Sequence, residues 1–158
     1  MVTCAKLGMY FLACTSKNYF PDADLTAYCE KIAEETGGSV TLTENVEEGT
    51  KDADVIYTDV WVSMGEPEEV WENRIKELLP YQVNQKVMDN GKESAVFMHC
   101  LPAFHDLETT IGRQIHEKFG LTEMEVTDEV FEGSQSVVFD EAENRMHSIK
   151  AIMYAALK

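Results

Sequence analysis

Short β-rich apolar runs alternate along this chain with stretches whose apolar residues recur every three or four positions. The runs YFLAC (10–14), SVTLTE (39–44), VIYTDV (55–60), AVFMHC (95–100) and the short MEVTD (124–128) read as strands. Helical periodicity lies between them. Asp22 or Asp24 caps a helix with Leu25, Tyr28, Ile32 and Ala33 on its apolar face, ended by Gly37-Gly38. Pro67 opens another, with Val70, Trp71, Ile75 and Leu78 at helical spacing, and Ile111 to Phe119 forms a third before Gly120. The last runs from about Asp140 to Leu157 and lines up Ala142, Met146, Ile149, Met153 and Ala156 in one stripe. Strands alternating with helices predict an α/β fold with a parallel sheet.

Composition narrows the function classes. At 158 residues, 44% apolar and 27% charged, the chain reads as one globular domain spanning 1–158, with no repeat or linker. Its 29 acidic against 13 basic residues give a net charge of -16, which repels phosphate backbones and anionic membranes and argues against nucleic acid as a partner. The sequence shows no membrane-spanning run and no signal peptide, so a cytoplasmic location is expected. Cysteines 4, 14, 29 and 100 lack CxxC spacing and read as reduced thiols.

Ligands of parallel sheets sit beyond the carboxyl ends of the strands. Two such ends carry chemistry here: TDVWVSMGE (58–66), with a carboxylate, a hydroxyl and a glycine, and HCLPAFHD (99–106). DVWVSMGE, FMHCLPAFHD, EVTDEVF and VVFDEAENRMHSIKA, in this order and at these separations, resemble the ornithine-binding half of an ornithine carbamoyltransferase. The likeness runs from about Met1 to the C-terminus. It implies a Rossmann-like three-layer sheet with flanking helices, and transfer of a carbamoyl group from carbamoyl phosphate to the side-chain amine of L-ornithine, giving L-citrulline and phosphate.

The resemblance also implies roles. Asp59, Ser63 and Met64 would meet the α-amino end of ornithine; Cys100 would lie beside the reacting amine; the Leu101 carbonyl would contact the amine or carbamoyl phosphate; Arg145 would polarise the carbamoyl oxygen. No metal or organic cofactor is implied. Physical chemistry is consistent with this assignment: a carboxylate pairs with an ammonium, a thiolate or carbonyl holds an amine that must lose a proton, and a preorganised cation offsets developing oxyanion charge.

Without the resemblance these residues have plainer readings. Cys100 reads as a small apolar residue at a strand end, Asp59 as a cap, and Arg145 as a surface partner of Asp140, Glu141 or Glu143. Trp61 and Met64 read as loop packing. His99 is expected to be structural. His99, Cys100 and His105 lack the second ligand pair of a zinc site, and adjacent strand residues such as His99 and Cys100 point to opposite faces.

The departures from the family are as informative. The Ser-x-Arg-Thr-Arg and His-Pro-x-Gln stretches that hold carbamoyl phosphate do not occur, and neither does the glycine- and asparagine-rich strand end that should come first. That strand is central in the family's sheet. Its loss leads to the expectation that 10–14 pairs directly with 55–60, or that another chain fills the gap. The last helix would then lack its usual cover, favouring self-association or pairing with a carbamoyl-phosphate-binding half. Two readings follow: an ornithine carbamoyltransferase half that is inactive alone, or a non-catalytic domain keeping an amino-acid pocket or an interaction surface. Aspartate and putrescine are the disfavoured acceptors, since an aspartate site wants cations where Asp59 stands and putrescine has no α-amino group to anchor.

Overall fold

The computed structural model describes residues 1–62 and 66–157, and Ser63 and Met64 lie outside the described residues. The chain forms two compact units, 1–51 and 52–158.

In the first unit, α1 (Val2–Lys6), β1 (Tyr10–Cys14), α2 (Ala23–Thr36), β2 (Ser39–Thr43) and α3 (Val46–Thr50) follow one another. β1 and β2 run parallel, in register from Tyr10↔Ser39 to Cys14↔Thr43, with α2 as the crossover. Asp22 begins α2 by accepting the Asp24 and Leu25 N–H groups, both at 3.0 Å, and Gly37 ends it at φ 84°. The face that α2 buries differs from the expected one. Leu25 and Tyr28 are exposed, whereas Thr26, Cys29 and Ala33 are buried. Cys29 and Ala33 pack with Ala5 of α1, and Ile32 and Val40 lie against that cluster. Small side chains let two helices approach closely, so packing chose this stripe over the larger residues beside it.

The second unit holds β3 (Val55–Thr58), α4 (Glu68–Leu78), α5 (Gln85–Asn90), β4 (Val96–His99), α6 (Thr110–Phe119), α7 (Asp128–Phe131) and α8 (Val138–Ala156). β3 and β4 are parallel, from Val55↔Val96 to Thr58↔His99. Its core gathers Trp61, Val62, Ile75, Leu78, Phe104, Ile115 and Met124, so Trp61 is a packing residue. No helix among the described residues is long and apolar enough to cross a membrane.

The α/β character and the parallel pairing agree with the sequence. Among the described residues the strands pair as β1–β2 and β3–β4, and 10–14 is not hydrogen-bonded to 55–60. Each pair is joined through its own crossover, which completes the ladder locally. Segment 124–128 is not a strand: Val126 makes one isolated bridge to Val83, and Asp128 already begins α7.

The cap of α2 is open to test. Asp22→Ala is expected to lower stability by about 1 kcal/mol and Asp22→Asn to leave it nearly unchanged, measured by urea denaturation.

Candidate functional site

The register Thr58↔His99 brings the ends of β3 and β4 side by side, and the next residue on each is Asp59 and Cys100. Their side chains meet: the Cys100 thiol donates to Asp59 Oδ1 at 3.0 Å. Asp59 Oδ1 also accepts the Val60 N–H at 2.7 Å, which fixes the carboxylate at the strand terminus. Partial burial, and then the hydrogen bond and negative charge of Asp59, push the Cys100 thiol up. Cys100 is therefore a thiol near neutrality, not the thiolate that the sequence allowed.

One residue earlier, the side chain turns inward. His99 is fully buried while Cys100 is exposed, the alternation expected of a strand. His99 Nδ1 accepts the Leu101 N–H at 2.9 Å, and Nε2 lies 3.3 Å from Glu125 Oε1, which is also completely buried. Glu125 Oε1 in turn accepts the Phe104 N–H at 2.7 Å. Both feet of the loop after β4 are thus tied to one buried pair. Between them Leu101 stands at φ 53°, a left-handed conformation that costs a branched residue about 1 kcal/mol or more, and its bond to Pro102 is cis. The hydrogen bond from the Leu101 amide to the His99 imidazole helps offset that cost.

A cavity of about 350 Å³ opens at this strand end, lined among others by Tyr57, Cys100, Glu141, Asn144 and Arg145. Arg145 is exposed on α8, and its guanidinium makes no ion pair among the described residues, so the plain reading of it as a surface partner of its acidic neighbours does not hold. Tyr57 faces Cys100 and Glu141; burial and then those two groups raise its hydroxyl above the ordinary tyrosine range. Arg74 Nη1 donates to the Trp61 carbonyl at 3.1 Å and to Glu66 Oε2 at 2.8 Å.

Of the predicted residues, the structure brings Asp59 into contact with Cys100, and Cys100 and Arg145 line one cavity. His105 goes elsewhere: it pairs with Asp128 at 2.8 Å and stacks on Phe131 at 3.7 Å. Tyr57, Glu125 and Glu141 were not singled out in the sequence. Glu125 and Glu141 sit inside the motifs EVTDEVF and VVFDEAENR, but nothing local separates a buried carboxylate from the many surface ones.

Residues 1–156 match the family model described as aspartate/ornithine carbamoyltransferase, Asp/Orn binding domain. A catabolic ornithine carbamoyltransferase of Treponema denticola is 66% identical over 157 residues, which is 99% of this chain and 46% of that protein. Among solved structures, the ornithine carbamoyltransferase of Pyrococcus furiosus superposes with a TM-score of 0.78 at 40% identity, over 94% of this chain and 42% of its own. That of Gloeobacter violaceus gives 0.77 at 32% identity, over 96% and 44%. The chain spans about half the length of these relatives.

Two outcomes test the site. Glu125→Ala strands the Phe104 amide and the buried His99, and is expected to cost about 2 kcal/mol or more in urea denaturation. Asp59→Asn removes the charge that holds the Cys100 proton, so peptide-resolved iodoacetamide labelling of Cys100 at about pH 8 is expected to speed up several-fold.

Proposed function

The chain belongs to the aspartate/ornithine carbamoyltransferases, matching their Asp/Orn-binding domain, and from that premise we propose that it supplies the ornithine-binding half of an ornithine carbamoyltransferase. We read the two compact units as parts of one domain, a reading supported by a family match that runs through both. The observation that carries the reading is the Cys100–Asp59 contact at 3.0 Å beside the cavity that Arg145 lines. It sets a carboxylate against a thiol, and that thiol shares its cavity with a cation.

Each role follows from charge. Asp59, with Ser63 and Met64 on the following loop, takes the α-amino end of L-ornithine. Cys100 and the Leu101 carbonyl flank the side-chain amine. As a thiol, Cys100 orients the neutral amine by hydrogen bonding and does not take up its proton. The amine attacks the carbamoyl carbon, a C–N bond forms, the C–O bond to phosphate breaks with its electron pair leaving on the phosphate, the proton shed by the nitrogen passes to that phosphate, and citrulline and phosphate leave. Arg145 offsets the negative charge that develops on the carbamoyl oxygen. The chemistry calls for no cofactor.

Carbamoyl phosphate needs more cations than one Arg145. Binding it therefore falls to a second, carbamoyl-phosphate-binding half, supplied by another part of a longer chain or in trans. The strands fit this division of labour. Among the described residues β1 pairs only with β2 and β3 only with β4, and a further strand from another segment or copy would find an edge on either pair. On α8, Met146, Ile149, Ile152, Met153 and Tyr154 are exposed, an apolar surface suited to that half or to a second copy. The same surface favours the second reading, a non-catalytic domain that works through an interface.

Citrulline formation from ornithine and carbamoyl phosphate decides between them. The pure chain is expected to show no turnover, and activity is expected on adding a separately expressed carbamoyl-phosphate-binding half. Turnover by the chain alone would overturn the division of labour, and none in either case would favour the non-catalytic reading.

A further inference from the structure

α8 reaches the end of β4 through one side chain. Residues 135–137 run beside β4, with the Phe97 N–H donating to the Gln135 carbonyl at 2.8 Å and the Val137 N–H to the Phe97 carbonyl at 3.0 Å. The next rung of a parallel ladder would take the His99 N–H to the Val137 carbonyl. That carbonyl is already used, because it accepts the Glu141 N–H at 2.9 Å as the first bond of α8. The His99 amide is left without a backbone acceptor at a buried position, and Glu141 Oε2 supplies one at 3.1 Å.

We propose that Glu141 is a positioning residue for Cys100: by holding the His99 N–H it fixes the strand end from which the Cys100 thiol is aimed at Asp59 and at the cavity shared with Arg145. The other groups around the thiol act differently. Asp59 is its acceptor, Tyr57 faces it from β3, Arg145 lines the far side from α8, and the His99 ring is turned into the core. Glu141 alone among them binds the backbone of β4. The inference rests on the ornithine reading only in making this thiol part of a substrate site; the geometry stands without it.

The test is site-resolved labelling of Cys100 by iodoacetamide in the purified chain, read by peptide mass spectrometry because Cys4, Cys14 and Cys29 are also free. Glu141→Ala is expected to raise the Cys100 labelling rate at about pH 8 several-fold, as the thiol loses its fixed approach to Asp59. Glu141→Gln keeps an oxygen for the His99 amide and is expected to stay within about twofold of the parent. In the Asp59→Asn background, Glu141→Ala is expected to add almost nothing, because both act through one contact.

Equal acceleration by Gln and Ala would mean that Glu141 acts by charge alone and would overturn the proposal. So would full additivity with Asp59→Asn, or an Ala variant indistinguishable from the parent. Should Glu141→Ala not fold by circular dichroism, Glu141→Asp, which keeps the charge but falls one methylene short, decides in its place: rapid labelling supports positioning, and parental labelling rejects it. Labelling uses no ornithine, so failed citrulline formation with an intact labelling pattern would count against the functional reading only.

Discussion

The parallel pairing of β3 with β4 sets everything at the site. Its register ends at Thr58↔His99, so the next residues, Asp59 and Cys100, leave the sheet side by side, and a carboxylate and a thiol 41 positions apart come within 3.0 Å. A slip of one residue would turn His99 outward and Cys100 into the core, reversing both roles. The register is held from three sides. The ladder itself, the 135–137 segment along β4 and the Glu141 carboxylate each take backbone groups of the same short strand.

The second constraint is electrostatic. Glu125 and His99 are both fully shielded from water, a costly arrangement unless their polar atoms find partners. Two do: Glu125 takes the Phe104 amide and His99 takes the Leu101 amide, so the pair becomes the anchor of the loop that follows β4. The left-handed Leu101 is the visible consequence. Its amide is held by the His99 ring, which helps the chain tolerate the strained backbone there.

What the chain leaves uncovered is as telling as what it buries. Two-stranded parallel sheets are rarely complete by themselves, since parallel strands are normally buried on both faces. Tyr10, Val55, Tyr57 and the apolar residues of α8 stand in solvent. These residues are exposed in a chain that spans about half the length of its relatives.

The sequence by itself determined the alternation of strands and helices, the cap at Asp22, the stop at Gly37 and the apolar stripe of α8, because each depends on spacing or on the preference of one residue type within a few positions. It also carried the family through four ordered motifs, and with them the candidates Asp59 and Cys100, which the register of β3 and β4 brings into contact. Only the tertiary structure decided which face α2 buries, that 124–128 makes a single bridge, and that partial burial and Asp59 push the Cys100 thiol up. It alone separated Glu125 and Glu141 from the other acidic residues. The physical reason is the same in each case: burial, charge and hydrogen-bond partners are supplied by residues far away in the chain, and local pattern has no access to them.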